Sequence, residues 1–365
     1  MSTTTYNFVA TTAPGRVEAL QAPIPQPKEA DQVLIKAEYT SLTPFDVYQA
    51  DLGWHVNNYP LSLGTNVGGK VAKVGSGVTD LSEGDRVVAF AYVPGNKGLQ
   101  EYSIHPRSVI TKIPDDLPLE KATTVPDNVI TGFYTLFSQL GLPFSEEFPP
   151  TEAPQNADRP ILIYGGGATS GQYMVELLKL AKYTNVVAVA SPKHTDYLRG
   201  LGAKAVVDYR SPSFVDDVAT AFGGDGKAEL VADCISLDST FGAIAKVIRP
   251  GGSLAFLAPL KHKGVGNLTG EEGELLFEVP EELTKLFHND VKFICVRTFL
   301  YQQDKRLTNT LAPVIIARLL RDKLITPNRI ILLDKGHLLE RTNDALELLR
   351  ENKVSGEKVV IKITP

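Results

Sequence analysis

A chain of 365 residues, 43% hydrophobic and 22% charged, can bury a sizeable core and predicts two domains. Its formal charge of −5 is spread along the chain with no Lys/Arg run, which argues against a nucleic-acid partner. No apolar run reaches the length of a membrane span, and "MSTTTYNFVA" lacks the basic and apolar regions of a signal peptide, so the expected location is cytoplasmic. The only two cysteines, Cys234 and Cys295, fit a reducing compartment and read as small buried side chains.

In chain order, residues 1–127 read as mostly β. "DQVLIKAEYTSL" alternates, and "GGKVAKVGSGV" and "DRVVAFAYV" are short β-rich runs between Gly, Pro and Asp turns. "NVITGFYTLFSQLG" predicts a helix ending at a glycine. The proline-rich, acidic stretch 141–160 has little apolar patterning and reads as a surface excursion. Strands and helices then alternate: "PILIY", "SGQYMVELLKLAKYT", "NVVAVA", "HTDYLRGLG", "AVVDY", "SFVDDVATAFG" and "AELVADCI". A helix "TFGAIAKVIRPGG" ending at Pro-Gly-Gly, then the strands "SLAFLA" and "VKFICVRTFL", complete the series. Short, continuously apolar strands separated by helices predict a doubly wound α/β parallel sheet, covered on both faces. After it come a long helix near "TLAPVIIARLLRDKL", another near "LERTNDALELLRENK", and a last strand, "EKVVIKI". The nucleotide-type domain, 128–302, is thus inserted between flanks 1–127 and 303–365 that form one domain together.

The stretch "ILIYGGGATSGQYMVELLKLA" carries the functional signal. A strand turning sharply into a helix leaves the first helical amides open to an anion, and glycines keep Cβ atoms away from it. Gly165 and Gly167 match the first two glycines of a G-x-G-x-x-G dinucleotide loop; Ser170 takes the third place and Gly171 follows. Gln172 stands where a Walker loop needs lysine. The next strand ends in Ser191-Pro192-Lys193-His194, with no carboxylate for a ribose 2′-hydroxyl. Ser191 and Lys193 suit a 2′-phosphate instead, so the expected cofactor is NADPH.

The pieces "GTNVGGKVAKVGSGVTDLSEGDRVVAF", "YGGGATSG", "SPKHTDYLRGLGAKAVVDYRS", "ADCISLDSTFGAIAKVIRPGGSLAFL" and "SGEKVVIKI" occur in this order over nearly the whole chain. By them the chain resembles the medium-chain dehydrogenase/reductase superfamily, most of all its zinc-free quinone oxidoreductase and fungal trans-acting enoyl reductase branches. The resemblance implies a Rossmann domain inserted in a GroES-like β-rich substrate domain, with the site in the cleft between them. It implies that Gly165, Gly167, Ala168, Thr169 and Ser170 meet the pyrophosphate. Ser191, Lys193, His194 and Tyr209 would meet the adenosine end. Leu257 and Ala258 would back the nicotinamide, Pro44, Phe45, Asp46 and Val47 would line its end, and Ser355 to Lys358 would close it. Thr131 stands where quinone reductases have a threonine near the carboxamide.

Metal-dependent members of the superfamily hold a catalytic zinc with Cys, His and Glu or Cys ligands. Here "SLTPFD" has no cysteine, Thr65 replaces the histidine in "GTNVGG", and residues 1–233 contain no cysteine for a structural zinc. The expected chemistry is therefore zinc-independent reduction of a C=C bond conjugated to a carbonyl, with hydrogen-bond donors steadying the enolate oxygen. Tyr48 matches a quinone-reductase tyrosine and is the candidate donor. Many fungal enoyl reductases resemble one another in a D-W-K sequence there, from which "DVY" departs. Quinone reduction, direct aldehyde reduction and a non-catalytic dinucleotide-binding module are the alternatives. His105 and His337 read as loop residues without a role. The sequence leaves open the small-molecule substrate, its delivery by a carrier protein, and whether the chain is a monomer or a homodimer.

Overall fold

The computed structural model describes residues 5–93, 95–145, 147–265 and 268–364, without the side chains of 265 and 268–272. Its contacts divide the chain into two compact units, 1–127 with 305–365 and 128–304.

The first unit opens with β1 (Thr5–Ala13), β2 (Arg16–Pro23) and β3 (Gln32–Leu42), followed by helix α1 (Pro44–Leu52). Thr43 caps α1, and its backbone amide and hydroxyl are both taken by Asp46 at the third helical position. Proline at the first helical position and Gly53 at φ 63° close the other requirements of a short helix. Then come β4 (Leu61–Ser62), β5 (Asn66–Val74), β6 (Arg86–Phe90), β7 (Tyr102–Pro106), β8 (Ile110–Lys112) and α2 (Leu119–Ala122). Helix α3 (Pro126–Phe133) begins at the end of this segment; from Asn128 on it belongs to the second unit, where it runs on into a π-helical turn, Tyr134–Gln139.

The second unit is built on β9 (Ile161–Tyr164), α4 (Thr169–Leu180), β10 (Val186–Val189), α5 (Thr195–Leu201), β11 (Ala205–Val207) and α6 (Phe214–Phe222). It continues through β12 (Ala228–Asp233), α7 (Asp238–Ile244), β13 (Ile248–Leu257), the hairpin β14 (Leu260–Val265) and β15 (Leu268–Leu276), α8 (Glu281–Thr284) and β16 (Lys292–Val296). Six parallel strands lie in the order β11-β10-β9-β12-β13-β16, the doubly wound order 3-2-1-4-5-6. Strand β9 is buried along its length, and Leu162, Val187, Val231, Phe241, Leu254 and Phe256 belong to one hydrophobic cluster.

The chain returns to the first unit with α9 (Ala317–Arg321), β17 (Arg329–Leu333), α10 (Leu338–Arg350) and β18 (Glu357–Lys362). Its main sheet runs β17-β18-β3-β5-β6-β8, with β7 also on β3; β2-β1-β4 forms a smaller sheet. Among the described residues no helix is long and apolar enough to cross a membrane.

Four expectations are corrected. The helix predicted over "TFGAIAKVIRPGG" stops at Ile244, and Arg249 to Gly252 belong to β13, where the register on β12 shifts between Ala228 and Leu230. The long helix near "TLAPVIIARLLRDKL" begins as a π-helical turn, Leu311–Ile316, because Pro313 has no N–H to give the ladder. The surface excursion 141–160 is anchored: Phe148 is fully buried, with its ring 5.0 Å from Phe133 and 5.4 Å from Phe137, and Phe144 stands 5.1 Å from Phe133. His105 lies inside β7, buried, with Nε2 2.9 Å from Ser103 Oγ.

Candidate functional site

The glycine loop follows β9 at the carboxyl edge of the parallel sheet, beside the point where strand order reverses between β9 and β12. Open α/β sheets bind ligands in that crevice. Gly165 has φ 77°, and a Cβ there would stand 2.6 Å from the Ile235 side chain. The third glycine requirement is met one residue later than the motif suggests: a Cβ on Gly171 would lie 2.4 Å from the Gly165 carbonyl. Helix α4 therefore seats on its own loop only because Gly171 follows Ser170. The first i−4 bond of α4 runs from the Gln172 amide to the Ala168 carbonyl (2.9 Å), so the amides of Thr169, Ser170 and Gly171 precede the ladder and can donate to an anion.

Three residues outside the sequence reading shape this loop. Asn128 Oδ1 accepts the hydroxyls of both Thr169 and Ser170, each at 3.0 Å. Those hydroxyl protons point into the unit, which leaves main-chain amides as the anion donors. Asp233, fully buried at the end of β12, accepts the amides of Ile235 (2.8 Å) and Ser236 (3.0 Å) and the Thr240 hydroxyl. Burial pushes its carboxyl pKa up, against those hydrogen bonds. The pinned turn presses Ile235 against Gly165. Lys261 supports the same turn through the Ile235 carbonyl, and burial lowers its ammonium to about 8.

The second strand end carries the predicted charges. Lys193 is exposed, Ser191 half-buried, and His194 buried with its ring 2.8 Å from where a Cβ on Gly167 would stand. His194 thus backs the loop. Tyr209 is 49% exposed. Beside Tyr209 stands a residue the sequence reading passed over, Arg210, whose guanidinium lies 5.1 Å from the Tyr209 ring centroid, 3.4 Å from Ser191 Oγ and 3.1 Å from Asp208. At the far end of the sheet Leu257 and Ala258 are half-buried after β13, and the Ala258 amide donates to the Val296 carbonyl at 3.1 Å. Thr131 Oγ1 is 3.0 Å from Thr298 Oγ1, just past β16.

In the first unit the candidates divide by the face of α1. Pro44 and Phe45 are half-buried, and Phe45 packs edge-on to Trp54 at 5.6 Å. Val47 is fully buried. Asp46 is fully buried as well, and its carboxylate is engaged by five donors of its own unit. Tyr48 is buried beside Trp54, with ring centroids 6.1 Å apart, and desolvation raises its phenol pKa, so it stays a neutral hydroxyl. Ser355 is exposed and Gly356 buried, whereas the Lys358 ammonium is buried against Asp127. Asp127 in turn accepts from Asn66 Nδ2 at 2.6 Å.

Zinc does not fit the residues that stand at the ligand positions. Thr43 and Thr65 offer hydroxyls, 3.1 Å apart and both directed at Asp46. Among the described residues no group of three or more His, Cys, Asp or Glu could hold a metal ion.

Comparison with known proteins agrees with this architecture. The family pattern "Alcohol dehydrogenase GroES-like domain" matches residues 29–115, and "Zinc-binding dehydrogenase" matches 171–272. The chain is 33% identical to trans-enoyl reductase tazE of Aspergillus terreus over 221 residues, 58% of this chain and 70% of that protein. It is likewise 33% identical to trans-enoyl reductase himH of Aspergillus japonicus over 214 residues, which span 57% of this chain and only 60% of that protein. The crystal structure of the CurK enoyl reductase superposes with a TM-score of 0.74 at 16% identity, covering 98% of this chain and 99% of that one. The chain belongs to the medium-chain dehydrogenase/reductase superfamily, in its trans-enoyl reductase branch. Proteins of this superfamily bind a nicotinamide dinucleotide.

Proposed function

We propose that this protein is an NADPH-dependent, zinc-independent reductase of an activated C=C bond, acting on an α,β-unsaturated carbonyl or enoyl substrate. The observation that carries the cofactor choice is the cluster at the ends of β10 and β11. Ser191, Lys193 and Arg210 offer one hydroxyl and two cations, where NAD-selective sites place a carboxylate on the ribose. The loop amides of 169–171 would take the pyrophosphate, and the Thr131–Thr298 hydroxyl pair would hold the carboxamide end. A bound reduced nicotinamide supplies the hydride.

The kinship with trans-enoyl reductases supports C=C reduction. So does the donor chemistry. Hydride arriving at the β-carbon sends charge to the carbonyl oxygen, and neutral hydroxyls can steady that charge without a metal. Tyr48 is such a hydroxyl, kept protonated by burial. Leu257 and Ala258 would exclude water from the ring. Delivery of the substrate on a carrier protein and action in the cytoplasm belong to the same reading, as does a monomeric or homodimeric state.

The test is loss of 340 nm absorbance from NADPH with a panel of enones, enals and enoyl thioesters, with product identification. Saturated carbonyl products support the reading. Turnover of quinones alone would assign quinone reduction instead. NADPH binding without turnover across the panel would indicate a dinucleotide-binding module.

A further inference from the structure

One of the five donors to Asp46 is a buried ammonium, that of Lys97. Lys97 follows β6 in the loop "PGNKGLQ" and is 3% exposed. Its Nζ donates to Asp46 Oδ1 at 2.8 Å and to Gln49 Oε1 at 2.5 Å, and it lies 5.5 Å from the centre of the Phe45 ring. The loop is tied to the β4–β5 turn by two main-chain bonds, Gly98 N to Gly64 O (2.9 Å) and Leu99 N to Leu63 O (2.8 Å). Three segments therefore converge on one carboxylate: the start of α1, the β4–β5 turn and the Lys97 loop.

On its other oxygen that carboxylate faces two hydroxyls. Asp46 Oδ2 accepts from Thr65 Oγ1 at 2.9 Å and from Thr43 at 3.1 Å, and the two hydroxyls are 3.1 Å apart. Thr43 and Thr65 are half-buried, unlike Asp46, Lys97 and Gln49, which are buried. Thr65 has the shorter bond to the carboxylate. Thr43 has two longer alternatives, so its proton can turn to a third oxygen at small loss. From α1, the β4–β5 turn and the 91–99 loop, the groups reaching Asp46 are Thr43, Gly64, Thr65 and Lys97, and Lys97 is the charged one among them.

We propose that Lys97 is a positioning residue of the reductase site: through Asp46 it orients the Thr43–Thr65 hydroxyl pair toward the substrate carbonyl, and it cancels a carboxylate charge that would otherwise oppose enolate formation. This rests on the proposed reduction of activated alkenes. Stability alone gives a weak reason for the pair, because buried ion pairs are often matched or surpassed by apolar residues of the same volume. A carboxylate one hydroxyl away from a developing oxyanion raises the barrier, whereas a neutral ion pair with fixed dipoles does not. Lys97 also holds the Asp46 carboxyl below its ordinary range despite complete burial.

Removing the cation should make that carboxyl titrate in the working range, because desolvation alone raises a carboxyl pKa. The experiment is the pH profile of kcat/KM for one enone at saturating NADPH, for the parent, Lys97→Met, Lys97→Arg and the double variant Asp46→Asn/Lys97→Met. The parent and Lys97→Arg should show no step from this group between about pH 6 and 8. Lys97→Met should be less active at the upper end than at the lower by roughly fivefold or more, as its carboxyl ionises uncompensated. The double variant should lose that step and show a kcat lowered about tenfold, with KM for NADPH unchanged, because the hydroxyls lose their anchor. A Lys97→Met profile with the parent's shape overturns the inference. Should Lys97→Met fail to fold, the double variant decides, and a kcat within about twofold of the parent overturns it. A parent that reduces no enone sinks the proposed function and this inference with it. A parent that turns over while these variants behave as the parent does sinks this inference alone.

Discussion

Two charged clusters, one in each unit, treat charge in opposite ways. In the first unit, the ammonium groups of Lys97 and Lys358 are buried against Asp46 and Asp127; Gln49 accepts from Lys97, and hydrogen bonds from Thr43, Thr65 and Asn66 to the carboxylates complete the shells. In the second, Lys193 and Arg210 stand in the open, and the Arg210 partner Asp208 holds it at 3.1 Å on the surface. A buried pair is strongly coupled and expensive to break by halves. A solvated pair contributes little to folding, so its cation can turn to a ligand. The buried pairs of the first unit therefore use charge to fix geometry, as Asp233 and Lys261 do beneath the glycine loop, and the exposed cations at the ends of β10 and β11 keep it available for an arriving phosphate.

That contrast is tested hardest at Lys358. Lys358→Met would leave the Asp127 carboxylate buried without its cation, and should lower stability by about 3–5 kcal/mol. Chemical denaturation followed by a probe in the first unit would measure it. The double variant Asp127→Asn/Lys358→Met should recover most of the loss. A single-variant effect below about 1 kcal/mol would place this pair with the solvated ones.

The buried histidine of the first unit gives a pH signature. Burial lowers the His105 imidazole to about 3, while the unfolded chain titrates near its ordinary value of 6.5. The folded state then holds fewer protons than the unfolded one between those values, so stability is present above about pH 6.5 and falls as pH drops below it. The slope approaches about 1.4 kcal/mol per pH unit. The Asp46 carboxyl, held low by Lys97, adds a second loss only below its unfolded value near 3.9. His105→Gln should flatten the stability curve between about pH 6.5 and 4 while leaving the more acidic limb. A curve unchanged by His105→Gln would show that the imidazole is not the source.

In the second unit the effect should fall on binding. Lys193→Ala should weaken NADPH by about 1.5–3 kcal/mol, leave NADH nearly unaffected and keep the melting temperature. Fluorescence titration of both nucleotides at two salt concentrations would separate these outcomes. Equal weakening of both would remove the 2′-phosphate from the role of Lys193.

How much of this was legible in the sequence follows from the range of the interactions. The alternation of apolar strands and helices from 161 on is local, and it gave the doubly wound sheet and the glycine loop. The slipped third glycine was visible as Gly171, but its reason, contact with the Gly165 carbonyl, needs the folded turn. Pro-Gly-Gly at 250–252 misled because it reads as a helix stop, whereas the register shift between β12 and β13 accommodates it inside a strand. Asn128 and Lys97 could not be found from spacing, since each meets partners far along the chain, Thr169 and Asp46; Asp233 meets only near neighbours, Ile235, Ser236 and Thr240, but that it is buried under the glycine loop shows only in the folded sheet. Arg210 stood next to Tyr209 in "VVDYRS" and could have been found, because a cation one residue past a predicted strand end faces the same crevice.

Arg210 also supplies the finest test of the contrast between the units. Its guanidinium is shared by Asp208, Tyr209 and Ser191, so Asp208 competes with any incoming phosphate for the same donors. Arg210→Gln should weaken NADPH by less than Lys193→Ala does, since its side chain is well solvated and its charge already partly compensated. Asp208→Asn should act in the reverse direction and tighten NADPH slightly, by less than Arg210→Gln weakens it, because the guanidinium loses its rival partner. Neither change should move NADH by a comparable amount. If Asp208→Asn weakened NADPH instead, the carboxylate would be orienting Arg210 for the phosphate rather than competing for it. The exposed cluster would then resemble the buried pairs of the first unit, with charge used to hold geometry.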